Sequence, residues 1–249
     1  MFFFISLFFY INNSFLTIPL ETTTNTTNER PLQTLEEDIT GDSWPETIQL
    51  RGTKLAKESN YFHDITFSIS SPFTKTWKKT LPKGYDPNIK LLPLTNNQQK
   101  DFFYEVALNE NKTEHTYELF RLNQGKLSNT PLPTQENIQI QLEDNFSISV
   151  KLPLQKKTHH MNIDDFKKEL IQTGLYNKQG KLMKETNIIP ENIASMEPVF
   201  LNKQNGYALK TIQYIKGIHK EHILGSIHTI WHMQNGEWII LQTEWKEQA

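Results

Sequence analysis

The dipeptide Asn235-Gly236, set between two long β-branched and aromatic runs, is the feature that most narrows what this chain can fold into. A type I′ turn needs positive φ at both central positions, which Asn and Gly tolerate best, so the dipeptide predicts a tight antiparallel hairpin. Strands are expected over 222–233 and 238–245, in the register that sets Met233 opposite Trp238 and Trp231 opposite Ile240. The other face then pairs His232 with Ile239, Ile230 with Leu241, His228 with Thr243 and Ser226 with Trp245. A preceding strand from about Tyr207 to Ile218 completes a three-stranded antiparallel meander.

Upstream, short β-branched or aromatic segments recur between Pro, Gly and Asn: Thr47 to Leu50, Ile65 to Ser70, Phe102 to Leu108, Thr116 to Leu122, Ile138 to Leu142 and Phe146 to Leu152. This spacing predicts antiparallel strands. Asn123-Gln124-Gly125 supplies a turn, and Glu143-Asp144-Asn145 joins two strands closely enough for a hairpin. One clear helix is predicted over about 162–173, where Asn162 can cap, Asp164 and Asp165 suit the first turn, and Ile163, Phe166, Leu170 and Ile171 recur at helical spacing before Gly174. A second short helix is expected between Pro190 and Pro198. The fold class is α+β, with a β-rich region over 44–154 and a helix plus antiparallel sheet over 155–249, sharing one core over 44–249 or standing as two domains.

Ahead of that body lies the densest apolar run, Met1 to Ile11. It is too short for a helix across a hydrocarbon core of about 30 Å, and its length fits the apolar region of an export signal. Residues 1–20 therefore read as a signal-like segment, and 21–43, rich in Thr, Asn and acids, as a flexible polar linker. The first basic side chain is Arg30 and the first alanine Ala56, so the segment lacks the basic flank and the cleavage site of a standard signal. Left uncleaved, it would contact the membrane. The chain has no cysteine, which removes disulfides, thiolate metal sites and cysteine nucleophiles. A net charge of −2 supplies no global field toward nucleic acid, and no glycine-rich phosphate loop occurs. No cofactor or metal is expected.

Three side-chain groupings carry possible chemistry. Gly41-Asp42-Ser43 has the start of a hydrolase nucleophile motif, but no Asp-x-x-His follows to supply the base. His219, His222, His228 and His232 cluster in sequence, yet on one strand His228 and His232 stand about 13 Å apart, too far to share an ion. From Phe73 to Lys90, a loop with Lys75, Trp77, Lys78, Lys79, Lys83 and Tyr85 combines charge with aromatic faces suited to an anionic polymer.

The closing strands, Ile227 to Met233 and Glu237 to Trp245, resemble those of NTF2-like domains over about forty residues. The resemblance implies a pocket over a curved terminal sheet, lined by His228, Ile230, His232, Ile239, Leu241 and Trp245, for a small ligand or a hydrolytic reaction. The leading expectation is different: an exported, noncatalytic protein, secreted or held at the cell envelope, that binds a protein or an anionic surface polymer. A scaffold subunit of an envelope assembly is a further alternative. Within the candidate pocket His228, His232 and Trp245 are the ligand-binding residues expected.

Overall fold

In the computed structural model, which describes residues 29–72, 75–96, 99–134, 138–184, 188, 190–217 and 222–247, strands make up nearly all the regular structure. β1 (Glu29–Glu37), β2 (Glu46–Lys54), β3 (Tyr61–Ser70), β4 (Thr76–Thr80), β5 (Gly84–Asn96), β6 (Gln99–Ala107), β7 (His115–Asn123) and β8 (Lys126–Thr130) form one antiparallel sheet. Its order is β1-β2-β3-β5-β6-β7-β8, with β4 paired to the C-terminal half of β3. Period-two alternation sends Ile48, Leu50, Ile65, Phe67, Ile69, Phe102, Tyr104, Val106 and Phe120 into one core. At its centre the rings of Phe67, Phe102 and Phe120 touch pairwise at 4.7, 5.0 and 5.4 Å between centroids. Each such buried side chain contributes about 1.5–3 kcal/mol of transfer free energy.

β9 (Gln139–Glu143), β10 (Ser147–Lys151) and β11 (Thr158–Asn162) make a three-stranded sheet, followed by a 3₁₀ turn at Asp164–Phe166 and the helix α1 (Lys167–Gln172). β12 (Ile193–Asn202), β13 (Gly206–Lys216), β14 (Ile223–Gln234) and β15 (Glu237–Glu247) form a four-stranded antiparallel sheet. Ile140, Ile148 and Leu170 from the first group pack with Ile215, Ile227 and Trp245 from the second. A third cluster joins the halves: Leu94, Phe103 and Leu119 of the large sheet meet Met196, Leu209 and Trp231. Polar contacts cross the same seam. The Tyr117 hydroxyl accepts from the Met196 N–H at 3.1 Å, and the Trp238 indole donates to the Pro131 carbonyl at 2.8 Å. Burial pushes the Tyr117 phenol up to about 12, so it stays protonated.

The expected α+β class is observed, with the helix shorter and the terminal sheet one strand larger than expected. Asn162 accepts from the Asp164 N–H at 2.6 Å, but the turn that follows is 3₁₀ and only six residues are α-helical before Gly174, at φ 73°, ends the element. The helix expected after Pro190 is strand β12, whose Pro198 is tolerated because β12 lies at the sheet edge. Within the expected polar linker, 29–37 is β1, paired to β2 and packing Leu32 and Leu35 on the core. The lysine-rich stretch expected as a loop contains β4 and the start of β5. The boundary expected at 154/155 falls inside the β9–β11 sheet. The signal-like residues 1–20, linker residues 21–28, Phe73 and His219 lie outside the described residues.

Two fully buried carboxylates pin the connections of the large sheet. Glu46 accepts from the N–H groups of Ile39 and Thr40 and from the Thr40 hydroxyl. Asp101 accepts from the N–H groups of Leu94 and Thr95, from the Thr95 hydroxyl, and from Arg121, whose Nε and Nη2 both lie 2.9 Å from Oδ1. Removing such a partner strands a guanidinium that is only 18% exposed. Asp101→Ala is therefore expected to cost about 3 kcal/mol in urea unfolding. Breaking the exposed Lys210–Glu197 pair is expected to cost no more than about 1 kcal/mol. A loss below about 1 kcal/mol for Asp101→Ala would show that this carboxylate does not hold the hairpin.

Candidate functional site

The terminal hairpin turns as expected, with Asn235 at φ 52° and Gly236 at φ 87°. Its register holds from Gln234–Glu237 through Met233–Trp238 and His232–Ile239 to Trp231–Ile240. There a bulge intervenes: Ile230 pairs with Gln242, and Leu241 is the extra residue, 44% exposed. A one-residue slip exchanges the faces of everything beyond it. Trp245 consequently pairs with Ile227 and points into the core, where its ring covers Gly225 so closely that a Cβ there would lie 2.4 Å from the indole. The expected grouping of Trp245 with His228 and His232 is thereby corrected: the histidines occupy the opposite face.

That opposite face is a chequer of aliphatic, aromatic and charged groups in three cross-strand rows. Lys210, Ile230 and Gln242 form one, Ile212, His228 and Glu244 the next, and Tyr214, Ser226 and Lys246 the third. These side chains are half-buried or exposed, while the alternate positions Leu209, Thr211, Thr229 and Trp231 are buried. His228 sits centrally, its Nε2 3.0 Å from the Ser226 hydroxyl. Desolvation, then Lys246 and Lys210, pull its imidazole below the usual 6.5, with Glu244 acting in the other direction. A Ser–His contact is the beginning of a nucleophile and base, but the neighbouring carboxylate that would orient the base, Glu244, is turned to Lys246 at 3.6 Å. His232 keeps Nδ1 buried with no hydrogen-bond partner among the described residues. Lys210, Ile212, Tyr214 and Glu244 also belong to this surface, and the sequence reading did not find them. Their place depends on the register of β13 against β14, which no turn dipeptide fixes; the alternation Lys210-Ile212-Tyr214 was the available signal.

The lysine and aromatic set is dispersed by strand pairing. Trp77 and Lys79 pair with Ile69 and Phe67, so both turn toward the core side of the sheet. The Trp77 indole donates to the Gly125 carbonyl at 2.9 Å, and Lys75 donates to the same oxygen at 3.2 Å. Lys79 pairs with Glu118 at 3.0 Å and lies over the Phe120 ring. Tyr85 packs edge-on against Tyr61. Lys75, Lys78 and Lys83 stand exposed, so three cations of the expected patch remain presented to solvent, Lys75 beside the Gly125 carbonyl. His160 contacts Glu143 at 2.9 Å and His159 contacts Gln155 at 2.7 Å, each histidine serving a different neighbour.

Similarity to a known family covers the C-terminal part of the chain, where this face lies. Residues 136–246 are similar to the family described as YybI C-terminal domain. The matched stretch opens before β9 and closes within β15, so it takes in the three-stranded sheet, α1 and the four-stranded sheet. No curated protein and no solved structure matched the chain.

The depressed His228 has a sign that can be measured. Its folded form holds a proton less tightly than the unfolded chain does, so its contribution to stability is full above about 6.5 and is lost as pH falls through the depressed value. In an NMR titration His228 is expected to reach its midpoint below 6.5, and Lys246→Ala is expected to raise that midpoint. A midpoint at or above 6.5 in the unsubstituted protein would remove the electrostatic account of this face.

Proposed function

We propose that the protein is an exported, noncatalytic binding protein, released or held at the cell envelope, which engages a protein partner through the outer face of its C-terminal sheet. The observation that carries this reading is the surface of β13–β15, where Tyr214 is 36% and Leu241 44% exposed beside Ile212 and Ile230, and where Lys210, Glu244 and Lys246 provide both signs of charge. Aromatic and aliphatic groups set among charged ones make the mixture that protein interfaces use for anchoring and register. A protein partner is favoured over an anionic polymer because Lys75, Trp77 and Lys79 are engaged within the chain. Export is supported by the apolar run Met1 to Ile11. Among the described residues no helix is long and apolar enough to cross a membrane.

Two measurements in the native host test the reading. A photo-crosslinking side chain at position 230 is expected to capture one discrete partner that the same probe at Lys178 does not, and Tyr214→Glu is expected to reduce that capture about tenfold, as the loss of an interface anchor does. Fractionation is expected to recover the full-length protein outside the cytosol. Equal capture from positions 230 and 178, or full-length protein confined to the cytosol, would contradict the proposal.

A further inference from the structure

The end of the large sheet at which β1 begins carries exposed apolar side chains that neither the seam nor the outer face of the C-terminal sheet uses. Strand pairing gathers them. Lys54 pairs with Phe62 and Phe62 with Gly84, while Tyr61 pairs with Tyr85 and Tyr85 with Ala107, so the connections that follow β2 and β6 lie at one level. Leu55 and Leu108 open those connections, 66% and 49% exposed. Three strand spacings of about 4.8 Å separate them, with the half-buried rings of Tyr61 and Tyr85 between. Beside them the exposed Arg30 guanidinium lies 5.2 Å over the Phe62 ring and has no carboxylate partner among the described residues. It borders a hollow of about 320 Å³ walled by Pro31, Leu32, Phe62 and Pro87, whose acid, Asp86, is held by Lys112 at 2.8 Å.

We propose that this end rests on a zwitterionic lipid surface, with Leu55 and Leu108 inserted at the headgroup level and Arg30 on a lipid phosphate. The inference rests on the reading of a protein held at the envelope. Glu29 pairs with Thr53, so residues 1–28, which include the apolar run Met1 to Ile11, join the body at this end. A run lodged in a bilayer interface therefore brings this end to the surface first. Leucine gains by leaving water, and tyrosine suits the boundary because its ring is apolar and its hydroxyl polar. A guanidinium matches a phosphate through paired donors. The choice of lipid follows from charge: on the two connections Lys57 and Lys112 stand against Glu58, Glu110 and Glu114, so anionic headgroups are not favoured.

The chain has no cysteine, so Leu55→Cys, Leu108→Cys and Lys126→Cys can each carry one environment-sensitive fluorophore in the full-length protein. Lys126 is exposed at the opposite end of the sheet, beside the β7–β8 turn. With phosphatidylcholine vesicles the probes at 55 and 108 are expected to shift to the blue and to be quenched by a nitroxide-labelled lipid, while the probe at 126 does neither. Leu55→Asp is expected to abolish the shift at 108 on protein that still floats with the vesicles. Equal shifts at 55 and 126, a shift at 108 that survives Leu55→Asp, or shifts already complete in buffer because another part of the chain covers this end would each overturn the inference. Protein that floats with the vesicles without a shift at 55 and 108 overturns it and leaves the tether standing. Protein that does not float overturns both.

Discussion

Strand β6 is buried on both faces, and the rest of the molecule is arranged around that fact. Phe102, Tyr104 and Val106 point into the core of the large sheet, while Phe103, one residue out of phase, points the other way to meet Leu209 and Trp231. A strand covered on both sides cannot alternate apolar with polar, and its run Asp101 to Tyr104 is buried without interruption. The one charged residue in that run has to be fully satisfied, since an unpaired buried carboxylate costs several kcal/mol. Arg121, Thr95 and two backbone N–H groups meet that demand, and in doing so they tie the end of β5 to β6.

The same constraint decides which face of the four-stranded sheet is left outside the core. Because Leu209, Trp231 and Met196 are committed to Phe103, Leu119 and Leu94, the four-stranded sheet has only its other face to present. The bulge at Leu241 then assigns residues to the two faces. It sends Trp245 inward over Gly225 and leaves His228 opposite Glu244 on the outside, so a single extra residue separates a filled core from a chemically mixed surface.

Turn chemistry and strict alternation were legible in the sequence. Asn235-Gly236 and Gln124-Gly125 both form the tight turns expected of them, with positive φ at all four positions, and the six strands expected between residues 47 and 152 are all present. The bulge was not legible, because Leu241 and Gln242 give no sign in an apolar run of where pairing slips. Nor was β1, in which two leucines amid Glu, Gln and Thr suffice once β2 offers a partner edge. The lysine-rich patch failed for a related reason: Trp77 and Lys79 become inward-facing only when β4 pairs with β3, a contact that local composition does not encode. The packing of the three-stranded sheet on the four-stranded one draws on segments distant in sequence, and only tertiary structure brings Leu142 to Leu224.

The central claim is that β6 joins the two halves into one cooperative unit. Residue-resolved hydrogen exchange on the full chain carrying Phe103→Ala tests it, since that change removes a ring from the seam at a cost of about 3–5 kcal/mol. The account predicts that the amides of Phe102 and Tyr104 and those of Leu209 and Trp231 lose protection together and by similar amounts. Unchanged protection at Leu209 and Trp231 beside lost protection in β6 would contradict it.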